Sequence, residues 1–159
     1  MNDSPVTTVD DGARKVTRRV SVHASSADVF ALIADPHRHP ELDGSGTVRD
    51  VPVTGPERLS EGAKFSVGMK QYGFPYKITS TVTAFEADHL IEWQHPLGHR
   101  WRWELLETEP GTTQITETFD YNTAKAPKLL ELIGQPAKNG IGITKTLEAL
   151  AARFATSAP

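Results

Sequence analysis

The sequence predicts an α+β fold in which a curved antiparallel sheet of about seven strands wraps around one long C-terminal helix. Two patterns carry this prediction. Apolar and polar residues alternate with a period of two from Ala63 to Tyr121, as in strands, and apolar residues recur every three or four positions from Pro136 to Phe154, as in a helix. A run of strands followed by a helix favours an α+β fold over alternating βαβ units.

The size and composition of the chain fit a single domain. The chain has 159 residues, a net charge of −3 and no cysteine, which excludes disulfides and thiolate metal sites. Because it contains neither a basic run nor an apolar run of membrane-span length, we expect no nucleic-acid partner, no stable membrane insertion and no anionic membrane as the main partner. The lack of cysteine and of a signal-type N-terminal segment favours a cytoplasmic location.

The first elements of the chain are short. Residues 1–14 are polar and aperiodic and are expected to form a disordered tail, so that one domain covers residues 15–156. The first strand is predicted over Val16 to His23. Ser25 and Asp28 have the spacing of a capping box and indicate the start of a short helix.

Prolines and glycines divide the segment that follows. Pro36 and Pro40 limit the first helix and predict a second short helix or turn between them. A strand is expected over Thr47 to Val53, and a loop over Thr54 to Gly62. Two short helices are therefore predicted between the first strand and the main run of strands.

The turns set the register of the strands by arithmetic. Loops at Pro96–Gly98 and Glu109–Gly111 join three Trp-rich strands, and turns at Ala87–Asp88 and Tyr72–Gly73 join the strands before them. The predicted cross-strand pairs are Val67 with Ile78, Met69 with Tyr76, Val82 with Trp93, Ala84 with Ile91, Trp93 with Trp101, Ile91 with Trp103, Trp101 with Phe119, Trp103 with Glu117 and Leu105 with Ile115. These pairs agree in placing the apolar residues on one face, and a slip of one residue would break that agreement.

The apolar face of the predicted sheet is broad, whereas the helix that must cover it is slim. The inward residues of that helix are mostly modest in size, so we expect a cavity for a small, largely apolar molecule, unless the Trp side chains fill the space. The residues expected to line the cavity are Phe65, Val67, Met69, Tyr76, Ile78, Ser80, Val82, Trp93, Trp101, Trp103, Phe119, Ile141 and Thr144.

Three features of the chain resemble a known superfamily. They are the helix start Ser25-Ser26-Ala27-Asp28-Val29-Phe30, the helix end Ala34-Asp35-Pro36, and the Trp-rich strands before a long final helix. They resemble the START-like helix-grip superfamily, the fold of the birch-pollen allergen, and within it the bacterial polyketide cyclase/dehydrase and lipid-transport family, of SRPBCC type. The resemblance covers about residues 15–156 and implies a helix-grip fold. It marks fold and not chemistry, because members include aromatase/cyclases, hydrophobic-ligand carriers and stress-related proteins. The family often has Trp where Leu42 and Asp43 stand here.

Four residues of the apolar face are candidates for chemistry. The register places His95, His99 and Tyr121 in one row with Ser80, where either imidazole could polarise a ligand or act as a general acid or base. The alternative is a pair of solvated histidines at a hairpin tip. Glu117, set among apolar neighbours, could transfer a proton or accept a hydrogen bond from a ligand. The alternatives for Glu117 are a bulge that turns it outward or a pairing with an Arg or Tyr.

Two further segments carry polar or flexible residues. His37-Arg38-His39 with Glu41 could bind a metal or phosphate, but a solvated turn between two prolines is the favoured interpretation. Two histidines without a nearby carboxylate fall short of the usual three protein ligands, so no metal and no cofactor is expected. Tyr72-Gly73-Phe74 is a candidate lid or an ordinary hairpin turn.

Three functions fit these patterns. The favoured one is binding or transport of a small hydrophobic molecule, such as a lipid, a polyketide or an aromatic compound. The second is a cofactor-independent polyketide aromatase/cyclase that uses the His, Glu and Tyr groups. The third is a stress-related protein-interaction module with a filled cavity. The patterns leave open whether the protein is an enzyme and whether it is a monomer or a homodimer.

Overall fold

One antiparallel sheet forms the body of the protein. The computed structural model describes residues 4–42, 53–71 and 74–155. The strands within these ranges are β1 (Thr7–Val9), β2 (Lys15–Val22), β3 (Val53–Thr54), β4 (Lys64–Gln71), β5 (Phe74–Glu86), β6 (Leu90–Gln94), β7 (Arg100–Glu109) and β8 (Thr112–Asp120). Their order in the sheet is β1-β2-β8-β7-β6-β5-β4-β3, and every neighbouring pair is antiparallel. The predicted α+β class is confirmed, with eight described strands in place of about seven.

The short helices after the first strand and the long C-terminal helix lie where the sequence predicts them. Those in the described ranges are α1 (Ser26–Ile33), α2 (His39–Leu42), α3 (Pro127–Leu132) and α4 (Gln135–Arg153), with a 3₁₀ turn over Pro36–Arg38. Ser25 caps α1, because its hydroxyl accepts a hydrogen bond from the Asp28 backbone N–H at 3.2 Å. None of the described helices is both long and apolar enough to cross a membrane.

The segment predicted to be a disordered tail contains a strand. β1 pairs with β2, with Val9 opposite Thr17. The expectation of a tail without regular structure is therefore wrong for Thr7–Val9. Three residues are too few to show a period of two, so the sequence pattern could not indicate this strand.

Some predicted features fall outside the described residues. The strand over Thr47–Val53 is described only at Val53, in β3, and the lid at Tyr72–Phe74 only in the backbone of Phe74. The side chain of Met69, a predicted lining residue, also lies outside the described set.

The predicted register holds along most of the sheet. The confirmed pairs are Val67 with Ile78, Met69 with Tyr76, Val82 with Trp93, Trp93 with Trp101, Ile91 with Trp103, Trp101 with Phe119, Trp103 with Glu117 and Leu105 with Ile115. The pair Ala84 with Ile91 is wrong, because a bulge after Val82 shifts β5 by one residue. Phe85 consequently pairs with Ile91 and packs edge-on against Phe30 of α1, with ring centroids 5.4 Å apart.

Helix α4 packs mainly on β2, and to a lesser extent on β8. The close approach is possible because Gly140 has no side chain: a Cβ there would lie 3.2 Å from Val16 Cγ1. The residues that α4 buries are Gly140, Ile143, Thr146, Leu147 and Leu150. Ile141 is 59% exposed, so its predicted inward position is wrong. Apolar periodicity includes Ile141 and omits Gly140, although the glycine marks the side of the helix that faces the sheet.

The turn between β6 and β7 is held against the chain that follows β8. The Lys125 backbone N–H donates to the Leu97 carbonyl at 2.8 Å. Gly98 has a φ of 98°, and a Cβ at this position would lie 2.3 Å from the Thr123 carbonyl oxygen. Gly98 therefore meets both a conformational and a steric requirement.

We predict that Gly98→Ala destabilises the fold by about 1–3 kcal/mol more than Gly111→Ala, as overpacking does elsewhere. Both glycines have a positive φ, 98° and 82°, but no atom lies within 4 Å of a Cβ built on Gly111. The strain of the left-handed backbone is thus common to both variants, and only Gly98→Ala adds a clash. Urea unfolding of the two variants measures the difference, and equal losses would contradict the close approach.

Candidate functional site

The inward side chains of β4 to β8 form an aromatic surface beneath the helices, which we call the concave face. Its aromatic members on the strands include Phe65, Phe85, Trp93, Trp101, Trp103 and Phe119. Phe65, Trp103 and Phe119 are buried, whereas Trp93 and Trp101 are half-buried. The concave face is therefore partly filled by its own aromatic side chains.

A first aromatic cluster joins α2 to this face. The ring of His39 stacks on Trp93 with centroids 5.1 Å apart and meets Phe65 edge-on at 5.5 Å. Its Nε2 lies 2.7 Å from the Ile33 carbonyl oxygen. Burial lowers the pKa of His39, although the Ile33 bond and Asp35 act in the opposite direction. The ring of the half-buried His39 therefore packs as an aromatic group against Trp93 and Phe65.

The favoured interpretation of a solvated turn is therefore wrong for His39, but its neighbours do lie at the surface. The Nε2 of His37, an exposed residue, lies 2.9 Å from the Gly55 carbonyl oxygen. Glu41 receives the guanidinium groups of Arg38 at 3.2 Å and Arg153 at 3.3 Å. No group of three metal-ligating side chains occurs in the part of the chain that the structure describes.

A second cluster contains the predicted histidine row. His95 and His99 stack with ring centroids 4.1 Å apart, and His99 meets Phe119 edge-on at 5.1 Å. Phe119 also contacts Trp101 at 5.0 Å and stacks on Tyr121 at 5.4 Å. The structure therefore brings together His95, His99 and Tyr121 as the sequence predicts, and joins them to the Trp belt.

His99 is the buried member of the imidazole pair. It is only 9% exposed, and its Nδ1 is buried without a hydrogen-bond partner. Burial, with a smaller contribution from neighbouring His95, lowers the pKa of His99 to about 4. His95 is half-buried, and its Nδ1 accepts a hydrogen bond from the Leu97 backbone N–H at 3.0 Å. Burial lowers the pKa of His95 as well.

Tyr121 is held by α3. Its hydroxyl donates to Glu131 Oε2 at 3.0 Å, and Arg14 Nε lies 3.6 Å from the same oxygen. Burial and the contact with Glu131 raise the pKa of Tyr121. The Tyr121 hydroxyl therefore makes a structural contact at the end of the row.

Glu117 lies on the concave face and is only 6% exposed. It pairs in regular register with Trp103, so the alternative of an outward bulge is wrong. Arg18 lies directly opposite Glu117 on β2 and occupies the same row. The sequence already indicates the inward position of Arg18, because Val16, Arg18 and Val20 alternate on one face of the first strand. A count of apolar residues alone misses this arginine.

Trp103 completes this row on β7. It is 4% exposed, and its indole Nε1 is buried without a hydrogen-bond partner. An indole N–H can only donate, so only an acceptor atom would satisfy it.

The predicted lining residues differ in burial. Ser80 and Val82 are buried on the concave face, and Val67, Ile78 and Thr144 are half-buried. Tyr76 is 39% exposed, so it is at most a residue of the rim.

Two depressions among the described residues open on the outer face of the sheet, and one of them extends to His95 and the turn between β6 and β7. One, of about 440 Å³, is lined by residues that include Thr79, Thr81 and Gln94, and another, of about 350 Å³, by residues that include Arg102 and Thr116. The outer face is held by ion pairs of the buried Glu92, which lies 3.4 Å from Arg100 and 3.2 Å from Arg102. The cavity under the helices accordingly stays a prediction.

A curved antiparallel sheet closed by a C-terminal helix is the helix-grip arrangement, and this defines the class of protein. The family model described as polyketide cyclase/dehydrase and lipid transport matches residues 13–155. The chain belongs to this family.

Relatives support the assignment. The uncharacterized protein Rv0088 of Mycobacterium tuberculosis is 50% identical over 154 residues, which cover 94% of this chain and 68% of that protein. A solved structure from Rhodobacter sphaeroides has a TM-score of 0.70 at 17% identity, covering 96% of this chain and 99% of its own. The AHSA1-like protein from Aeromonas hydrophila has a TM-score of 0.61 at 19% identity, covering 91% of this chain and 97% of its own. These two structures are similar to the chain in fold.

We predict that the burial of His99 makes stability depend on pH. The pKa of His99 is about 4 in the folded state and 6.5 ordinarily, so the unfolded chain binds more protons between these values. The stabilisation that the neutral His99 contributes is complete above pH 6.5 and decreases as the pH falls towards about 4. From about pH 7.5 to about pH 5 the loss due to His99 should be about 2 kcal/mol.

Urea unfolding of His99→Phe at both pH values tests this prediction. The phenyl ring preserves the stacking but cannot be protonated, so the variant should lose less stability on acidification. His23→Gln is the control, because His23 is exposed. An undiminished pH dependence in His99→Phe would contradict the assignment.

Proposed function

We propose that the protein binds and carries a small, largely apolar molecule that bears at least one oxygen atom, on the concave face. The observation that carries this proposal is the pair of buried polar atoms, His99 Nδ1 and Trp103 Nε1, which lack hydrogen-bond partners in a surface rich in aromatic rings. A buried polar group without a partner costs about 1–3 kcal/mol, so it calls for an explanation. A bound molecule with oxygen atoms would supply the missing partners.

The two atoms narrow the chemistry of the ligand. Trp103 Nε1 needs an acceptor, such as a carbonyl, hydroxyl or carboxylate oxygen. His99, neutral at physiological pH, can donate or accept according to its tautomer. His99 directly precedes β7 and is four positions from Trp103, which corresponds to about 13 Å along an extended chain. An elongated molecule with oxygen atoms at both ends and an apolar middle, such as a polyketide or an oxygenated lipid, fits this spacing.

The family supports the proposal in general terms. Its description joins polyketide cyclases and dehydrases with lipid transport, and both activities require a hydrophobic ligand or substrate. The cytoplasmic location predicted from the sequence is part of this proposal.

We predict that Trp103→Phe weakens binding of an oxygenated probe and spares its hydrocarbon counterpart. Affinities for β-naphthol and β-methylnaphthalene can be compared by displacement of bound anilinonaphthalene sulfonate, because the two probes differ only by hydroxyl and methyl groups. Loss of the indole N–H should lower the affinity for β-naphthol roughly three- to tenfold, the value of one hydrogen bond, and leave β-methylnaphthalene nearly unchanged. Equal effects on both probes would contradict a polar contact by Trp103. Absence of any probe binding, together with a protein free of co-purified ligand in native mass spectrometry, would overturn the proposed function.

A polyketide cyclase/aromatase is a second candidate function. The observation that favours it is a buried carboxylate, Glu117, on the same face as the neutral imidazole of His99, since either group could accept a proton from a β-ketone chain. Binding and transport is preferred because two of the four groups that would serve catalysis are engaged in contacts within the protein: the Tyr121 hydroxyl donates to Glu131, and His95 Nδ1 accepts from the Leu97 backbone N–H.

If the protein is a cyclase, Glu117→Gln should abolish conversion of a linear poly-β-ketone thioester to its aromatic product and still bind the chain. The amide matches the carboxylate in size but is not a general base. Formation of the aromatic product can be followed by absorbance. Conversion that is absent in the unsubstituted protein, or unaffected by Glu117→Gln, would reject this second candidate or this role of Glu117.

A further inference from the structure

Helix α3 exposes most of its apolar side chains. Leu129 is 55% exposed, Leu132 82% and Ile133, the residue that ends the helix, 51%. Their spacing of three and one residues places them on one side of the helix, whereas Leu130 packs against the core. An exposed group of large aliphatic residues in a monomer usually marks an interaction site.

Two neighbouring elements extend this group. Leu97, 54% exposed, lies beside it because the Lys125 backbone N–H is bonded to the Leu97 carbonyl. Ile141, also exposed, stands in the first half of α4, which packs against α3. We call Leu97, Leu129, Leu132, Ile133 and Ile141 the α3 surface.

The charged residues of the segment that carries four of the five α3-surface residues are almost all positive. Residues 123–145 contain four lysines and one glutamate, in a chain with a net charge of −3. The lysines, all exposed, are Lys125, Lys128, Lys138 and Lys145. The glutamate, Glu131, already receives the Tyr121 hydroxyl and the Arg14 guanidinium, so its charge is partly compensated.

We infer that the α3 surface docks on an anionic lipid bilayer. Aliphatic side chains would enter the boundary between headgroups and acyl chains, and the lysines around them would meet lipid phosphates. A bilayer fits the composition better than a protein does, because protein interfaces are enriched in aromatic residues and Arg and depleted in Lys. α3 has six residues, far fewer than the roughly 20 of a membrane span, so the contact is peripheral.

The expectation from sequence that an anionic membrane is not the main partner rested on the absence of a basic run and on the net charge of the whole chain. The lysines are separated along the chain, and the fold gathers them around one apolar surface. The surface also lies next to the His95–His99 turn, since Leu97 belongs to that turn. The docking does not depend on the proposed function, but it would place one end of the concave face beside the membrane.

Vesicle co-sedimentation of the full chain tests this inference. The protein should bind vesicles made of equal amounts of phosphatidylcholine and phosphatidylglycerol, bind pure phosphatidylcholine far more weakly, and lose affinity as salt is added. The double variants Leu132→Ser/Ile133→Ser and Lys125→Glu/Lys128→Glu should each weaken binding about tenfold or more. Leu106→Ser is the matched control, because Leu106 is 59% exposed on β7, away from α3.

Three results of the vesicle experiment would overturn the inference that the α3 surface docks on an anionic bilayer. These outcomes are no binding to either vesicle, equal binding to both, or a loss in the Leu106→Ser control as large as in the α3 variants. A dimer in sedimentation velocity that dissociates in Leu132→Ser/Ile133→Ser would assign the surface to a second copy of the chain instead. Displacement of anilinonaphthalene sulfonate by β-naphthol, measured without vesicles, reports on the proposed function separately and should be unchanged in these variants.

Discussion

The pairing of β7 with β6 and β8 determines what lies on both faces of the sheet. Side chains alternate along a strand, so the register that turns Trp101 inward between two other aromatic residues also turns Arg100 and Arg102 outward. On the outer face both guanidinium groups contact the buried carboxylate of Glu92. A slip of one residue would expose the Trp residues and bury two arginines without a partner, which is costly on both faces. The aromatic surface and the ion pairs thus stabilise the same register.

This constraint explains why so much of the fold could be predicted from sequence. Turn positions and period-two alternation determine cross-strand pairs, and the pairs from β6 to β8 were confirmed. The prediction failed at two positions where the local backbone structure has no periodic pattern in the sequence. The bulge after Val82 places Phe85, and not Ala84, on the concave face. Helix α4 faces the sheet with Gly140, which a count of apolar residues does not include, and Ile141 is exposed as a result.

The candidate site was predictable in position but not in chemical state. The register placed Glu117 and His99 on the concave face, where the structure finds both buried. Whether a polar group already has a partner depends on contacts between distant segments, such as that of Tyr121 with Glu131, which no spacing along the chain reveals. His39 is a similar case, since its neighbours indicate a solvated turn and only the fold brings its ring onto Trp93. Arg18 was visible in the sequence, as a charge on the apolar side of the first strand.

Binding of a small, oxygen-bearing apolar molecule on the concave face is the central proposal for this protein. Nitrogen–proton correlation NMR spectra recorded during a titration with β-naphthol test it most directly, because all three Trp residues lie on this face and each has its own indole signal. We expect the indole signals to shift with saturation, the Trp103 signal most and in the direction of hydrogen bonding, while the backbone signals of Thr79, Thr116 and other outer-face residues stay in place. Shifts confined to the outer face, or no saturable shift of any indole signal, would contradict it.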